Sequence, residues 1–290
     1  FRSINSNNDV PILKSALIQL GFSENNITIL KNEGATKKLI LDALQNNFLK
    51  TINKGDIAYF HFSGHGQQVQ DLSGDELDGY DEALVPYDAS ANFVPGVYEG
   101  HNHIIDDELN LIYAKIRTKL GPKGHFLLNI DACHSGTSTR GLGSARGTDI
   151  AMAPEDYRMN ADRSKHDLNQ SELKPEDESQ MASMVAFFGS MANQLNYEIQ
   201  GEDGKNYGSL SYAFSKAVHA LKPESSYQQL FDRIKLIVGM HINNQIPEAS
   251  GILAQPVLGG KYLGTPNYFR VKEWQDQNTI TLDGGFLNGI

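Results

Sequence analysis

Two short polar stretches hold the residue types of nucleophilic catalysis, and each follows an apolar run. Phe126-Leu127-Leu128-Asn129-Ile130 gives way to Asp131-Ala132-Cys133-His134-Ser135-Gly136, which holds the only cysteine of the chain. Ile57-Ala58-Tyr59-Phe60-His61-Phe62 empties into Ser63-Gly64-His65-Gly66. Apolar runs of this length read as buried strands. Residues just past the C-terminal ends of parallel strands line ligand sites in open α/β sheets. A thiolate forms where an imidazole or backbone amides stabilise it. Cys133 as nucleophile and His65 as base therefore fit covalent catalysis. The N–H groups of Gly66 and Cys133 are the natural donors of an oxyanion hole. Gly64 and Gly66 let the backbone approach a bound chain closely.

Simpler readings compete with this one. A lone cysteine is usually a small buried hydrophobe, but a packing cysteine would sit inside the apolar run rather than beyond it. His134 is a rival base, yet adjacent residues rarely point the same way. The other histidines (His61, His101, His103, His125, His166, His219, His241) have no supporting context. One cysteine with histidines at no ligand-like spacing matches no zinc pattern. Phosphate-cradling glycine motifs are absent. Asp131, two residues before Cys133, is a carboxylate at a strand end, and a buried carboxylate needs a partner. The side chain of a substrate Arg or Lys would supply one. Asp9 is a second carboxylate without an obvious partner, although it also suits a helix cap.

The segment from Asp71 to Glu82 carries six acidic residues: Asp71, Asp75, Glu76, Asp78, Asp81 and Glu82. A solvated charge run is the plain reading. Leu77 and Gly79 break the register of an EF-hand loop. A calcium site of another kind, made by Asp81 with Asp106 and Asp107, stays open beside helix capping by Asp106.

The elements that must position these residues follow from pattern. Asp9-Val10-Pro11 opens a helix with Val10, Leu13, Leu17 and Leu20 on one face, stopped by Gly21. Ile27-Thr28-Ile29-Leu30 reads as a short strand. Thr36 caps a helix with Leu39, Ile40, Ala43, Leu44 and Phe48 inward. The strand over 56–62 follows. Asp106-Asp107 opens a helix whose apolar positions are Leu109, Leu111, Ile112, Ile116 and Leu120. Residues 184–189 form a third buried strand, and helices follow near 209–221 and 225–243. The β-α-β spacing implies a parallel sheet with crossover helices. Residues 137–180 are polar, with almost no apolar periodicity, as in a functional or disordered loop. The tail alternates like β structure.

The chain has 290 residues, 40% hydrophobic and 9% aromatic, enough for a real core. A formal charge of −10 argues against nucleic acid as a partner. No apolar run is long enough to span a membrane. A single cysteine fits a reducing compartment, so a cytoplasmic location is expected. The N-terminus opens abruptly, as in an excised piece.

Four motifs together resemble the metacaspases, caspase-like cysteine peptidases of bacteria, plants, fungi and protists. They are Tyr59-Phe60-His61-Phe62-Ser63-Gly64-His65-Gly66, the loop from Gly74 to Glu82, Ile105-Asp106-Asp107-Glu108, and Asp131 to Gly136. The similarity runs in order from Asp9 to about Gly264. The resemblance implies a caspase-like three-layer α/β sandwich, mainly parallel, with helices on both faces. It implies a peptidase domain over residues 1–264. Within it, residues 1–136 would be p20-like, residues 137–180 a polar processing linker, and residues 181–264 p10-like. Residues 265–290 would begin a C-terminal β module.

The resemblance further implies His65 as base and Cys133 as nucleophile, with Gly66 and Cys133 as oxyanion donors. Asp9, Ser63 and Asp131 would line an acidic S1 pocket for Arg or Lys. The expected partners are protein or peptide substrates with such a P1 residue, with neither nucleic acid nor membrane. No cofactor is required for the chemistry. Calcium would act as an activator through Asp81, Asp106 and Asp107. A further family aspartate, seven residues after the nucleophile, is Arg140 here, a departure that suits bacterial members without calcium dependence. Arg140, Arg146, Arg158, Arg163, Lys165 and Lys174 are the linker positions open to self-cleavage. The alternatives are a non-catalytic caspase-like scaffold or regulatory pseudo-peptidase, and a cysteine-dependent transferase or ligase.

Overall fold

The computed structural model describes residues 1–74, 76, 78–133, 145–148, 150–155, 157, 178–191, 194–222, 224–260, 270–274 and 280–283. In chain order the helices are α1 (Asp9–Gln19), α2 (Lys37–Asp42), α3 (Leu49–Thr51), α4 (Asp106–Leu120), α5 (Ser209–His219) and α6 (Tyr227–His241). The strands are β1 (Ile57–Ser63), β2 (His65–Gln70), β3 (Tyr80–Val85), β4 (Ile104–Ile105), β5 (His125–Asp131), β6 (Ser183–Phe188), β7 (Glu198–Gln200), β8 (Asn206–Gly208), β9 (Glu248–Gly251), β10 (Arg270–Trp274) and β11 (Ile280–Asp283).

The central sheet runs β1-β5-β6-β9. β1, β5 and β6 are parallel, and β9 closes the edge antiparallel to β6. Every residue of β5 is buried, as a parallel strand covered on both faces requires. Alternation divides its side chains between two cores. Leu127, with Val185 and Phe187 of β6, packs against α1, α5 and α6. Phe126, Leu128 and Ile130 face α2 and α4 on the other side. The layered α/β expectation is met.

Several local readings change. Residues 27–30 join no sheet among the described residues; their β-branched side chains favour extended backbone, but no described strand pairs with them. Leu39 and Leu111 are exposed rather than inward. The helix opened at Thr36, whose Oγ1 accepts from Leu39 N–H at 3.3 Å, passes through a π-helical stretch, Ala43–Phe48, before α3. Neither Asp9 nor Asp106 caps a helix through its side chain. Asp106, Asp107 and Glu108 instead fill the first turn of α4, where the helix dipole favours negative charge. Asp9 is pulled into the site.

A second sheet, β2-β3-β4, stands beside the C-terminal end of β1. His65 is therefore not in a simple turn: it opens β2 and pairs with Val85 of β3. The acidic stretch likewise ends as β3, with Asp81 facing Val69 across the pair. The expected β structure of the tail is seen as the antiparallel pair β10-β11.

Candidate active site

β1 and β5 are neighbours in register, so Ser63 lies opposite Asp131. Their last residues deliver His65 and Cys133 to one end of the sheet. Cys133 is buried, and its Sγ donates to Gln194 O at 3.1 Å. His65 Nε2 contacts the backbone oxygen of Arg2 at 2.7 Å. A carbonyl accepts only, so Nε2 carries the hydrogen, and in the neutral ring Nδ1 is the lone pair. Burial pushes the His65 pKa down, against the opposing pull of the Arg2 carbonyl. His65 is thus a neutral imidazole with a fixed tautomer. The Arg2 carbonyl is a functional group that motif reading missed, because a main-chain acceptor leaves no mark in residue type.

The pocket beside Cys133 is acidic and already filled. Arg146 is wholly buried. Its Nη2 lies 3.0 Å from Asp9 Oδ2 and 3.2 Å from Glu198 Oε1. Its Nη1 donates to Ser63 Oγ and lies 3.9 Å from Asp131 Oδ2. Asp9, Ser63 and Asp131 are therefore brought together as expected. Glu198 of β7 is an unforeseen third carboxylate. The only hint was its place between the apolar Tyr197 and Ile199, in an alternation that sets it apart from both.

The pocket carboxylates are not equivalent. Asp131 accepts from Asn196 Nδ2 at 2.7 Å, from Ser211 N–H at 2.7 Å and from Ser211 Oγ. Ser211 lies in the first turn of α5, whose N-terminus favours a negative charge. Burial alone would raise the Asp131 pKa, but Arg146 and these hydrogen bonds outweigh it and hold the carboxyl below its usual range. Asp9 accepts from Gly208 N–H at 2.9 Å and from Ser63 Oγ. There burial outweighs the attraction of Arg146, and nearby Asp131 adds to the rise. Asp131 is the fixed charge of the pocket, and Asp9 is the one that takes up a proton more readily.

The backbone of Arg146 matters as much as its side chain. Its carbonyl accepts from Gly66 N–H at 3.1 Å and from Cys133 N–H at 2.9 Å. These are the two donors expected to form an oxyanion hole. Arg146 N–H donates to Asn196 O at 2.8 Å, and Ala145 bridges Tyr197 in antiparallel fashion. Gly147 packs so close that a Cβ there would lie 3.2 Å from Cys133 Sγ and 2.7 Å from Cys133 O. The thiol thus stands beside the Arg146–Gly147 peptide. Some of the stretch expected to be a polar linker is here docked through isolated β-bridges at Ala145, Gly147 and Met152. The other self-cleavage positions (Arg140, Arg158, Arg163, Lys165 and Lys174) lie outside the described residues.

The residues of the calcium expectation lie on β3 and at the start of α4. Burial pushes the Glu82 pKa up to about 7, with Asp106, Glu76 and Asp78 adding to it. That is acidic crowding, and oxygen donors suit calcium. Yet among the described residues no three acidic, His or Cys side chains stand together as a cage. Asp81 on β3 and Asp107 in the first turn of α4 line one cavity, with Asp106 next to Asp107 on the same turn.

Known proteins give the same picture. The caspase domain model matches residues 3–258. Metacaspase-1B of Aspergillus oryzae is 32% identical over 226 residues, covering 69% of this chain and 50% of its own length. Metacaspase-3 of Arabidopsis thaliana is 31% identical over 232 residues, covering 77% of this chain and 57% of its own. The chain thus spans about half the length of these curated relatives. They are fungal and plant proteins and give no support to a bacterial source. A solved structure from Geobacter sulfurreducens has a TM-score of 0.57 at 26% identity, covering 86% of this chain and 84% of its own. Caspase-1 of Spodoptera frugiperda shares the fold, with a TM-score of 0.53 at 14% identity over 92% of this chain and 86% of its own. No helix among the described residues is long and apolar enough to cross a membrane. A thiol, a tautomer-fixed imidazole and paired N–H donors at one sheet end thus accompany a match over most of the sequence, and the chain belongs to the caspase-domain (C14) peptidase family, with metacaspases among its relatives.

Proposed function

We propose that this chain is a cysteine endopeptidase that cuts after Arg or Lys, and that Arg146–Gly147 is a bond it cuts in itself. The observation that carries this is Arg146, whose guanidinium fills the acidic pocket while its carbonyl accepts from both Gly66 and Cys133 N–H. A substrate about to acylate Cys133 needs that pose.

His65 Nδ1 takes the thiol proton, and Sγ attacks the Arg146 carbonyl carbon. Negative charge develops on the carbonyl oxygen, where the two N–H groups already point. The C–N bond breaks, the protonated His65 gives its proton to the leaving Gly147 amine, and a thioester remains on Cys133. Water, deprotonated by His65, attacks the thioester and releases a carboxylate at Arg146. The Arg2 carbonyl steadies the imidazolium formed on the way.

The pocket contacts both terminal nitrogens of the guanidinium. A lysine ammonium has one nitrogen and reaches fewer acceptors, so Arg is favoured over Lys. Asp at P1 would meet three carboxylates and is rejected.

The test is twofold. Purified protein should yield a new N-terminus at Gly147, and Cys133→Ala protein should not. Peptides with P1 Arg or Lys should be turned over, and P1 Asp peptides should not. Equal processing of the Cys133→Ala protein, or turnover of the Asp peptide alone, would refute this reading.

A further inference from the structure

The chain after Arg146 is held by a built site that the proposed chemistry does not use. Gly147 bridges Gly66 and Met152 bridges Val69, both in parallel with β2. Met152 N–H donates to Gln68 O at 2.7 Å, and Gln70 N–H donates to Met152 O at 3.1 Å. Two residues of β2 but four of the segment lie between the two bridges. Between the bridges, Thr148 Oγ1 accepts from Ile150 N–H at 3.2 Å. Ile150 points outward, 58% exposed, while Met152 is fully buried.

Two devices make this more than a passing loop. The first is a socket: Met152 packs with Val69, Ala83 and Tyr98. Gly100 lies at its wall with φ +94°, and a Cβ there would come 3.0 Å from Met152 Cγ. The second is a polar relay. Gln67, wholly buried, donates through Nε2 to Ile150 O at 2.7 Å and to Ala91 O at 2.9 Å. Its Oε1 accepts from His103 Nε2 at 2.8 Å, and Tyr98 OH contacts His103 Nδ1 at 3.0 Å. Burial keeps His103 neutral, with a pKa pushed down to about 4. The tautomer is then set: Nε2–H meets the amide oxygen, and Nδ1 accepts from the tyrosine. A glutamine fixed this way is a preorganised donor for a passing carbonyl.

We propose that β2 and β3 carry a primed-side docking site for a peptide with an unbranched apolar side chain six residues beyond the P1 residue, and that its occupant is this chain's own run from Gly147 to Met152. The site pins the register that delivers Arg146, rather than another linker residue, to Cys133. Docking stands on its own contacts. Only its use in choosing the cut rests on the peptidase reading above.

The uncut Cys133→Ala protein tests docking without any catalysis. Hydrogen exchange at the Met152 and Gln70 amides should be slow. Met152→Asp should speed it by about tenfold or more, as loss of a buried side chain destabilises the local structure, and should expose Arg146 to added trypsin. Met152→Leu should keep most of the protection. Fast exchange in the parent, or no change with Met152→Asp in a protein of unaltered far-UV spectrum, would overturn docking. In the active protein, Met152→Asp should slow cutting after Arg146 while turnover of a short P1 Arg peptide persists or rises. Equal loss of both activities would overturn the register role and mark Met152 as a general packing residue. Failure of the parent protein to cut after Arg146 would sink the peptidase reading and the register role with it, leaving the exchange result to decide docking.

Discussion

The two sides of the Arg146–Gly147 bond are held by opposite means. On the N-terminal side, three buried carboxylates and a serine hydroxyl grip one guanidinium, and the backbone of Ala145 and Arg146 pairs with Gly66, Cys133, Asn196 and Tyr197. On the C-terminal side, contacts run through main-chain atoms, one glutamine and a thioether in an apolar socket. Charge selects a residue type but tolerates small shifts in position. Main-chain pairing fixes position but reads few side chains. A cut site that must be both specific and exact in register draws on both.

The charged side should fail more steeply. Arg146→Glu would set a fourth carboxylate among three, and cutting at this bond should disappear, as read by mass spectrometry of the aged protein. Asp131→Ala should cost P1 Arg binding about 3–5 kcal/mol, the usual penalty for breaking a buried ion pair. It should leave alkylation of Cys133 by iodoacetamide nearly unchanged. Equal loss in both assays would make Asp131 a support for the thiol instead. Glu198→Gln keeps the shape and one acceptor, so about tenfold in P1 Arg turnover is expected, with Lys peptides less affected.

Two conditions sharpen the contrast further. Because the His65 pKa is lowered from 6.5, the neutral base persists below that pH. The acid limb of the self-cleavage profile should therefore fall with a midpoint under 6.5, and a midpoint above it would contradict the buried, carbonyl-fixed ring. Salt should matter least. Arg146, Asp9 and Asp131 are all wholly buried, and screening acts mainly on exposed charges. Self-cleavage should change by less than about twofold between 0.05 and 0.5 M sodium chloride.

What could be read before folding was the chemistry that strand ends impose. The runs before Cys133 and Ser63 marked two buried strands, and the small residues after them marked a cleft. Asp131 announced its need for a cation by standing where burial was certain. What escaped notice depended on pairing between distant segments. Arg146 is one of six basic residues in a polar stretch, and only Ala145 and Gly147, small enough for a close-fitting cleft, set it apart. Met152 belongs to no apolar pattern because it alone of its neighbours faces inward. Ile27 to Leu30 failed in the opposite sense: residues suited to a strand pair with no strand among the described residues.

The double hydrogen bond to the Arg146 carbonyl has a consequence for competition. Because the docked arginine is a segment of the same molecule, it occupies the cleft at an effective concentration in the millimolar range, the usual value for a short tether. A free substrate must outbid that internal ligand, so an uncut molecule is expected to be a poor enzyme toward others even with every catalytic group in place. By the same reasoning, cutting of its own bond should be first order and indifferent to dilution, whereas attack on another protein should begin only after the tether is severed and should then scale with concentration.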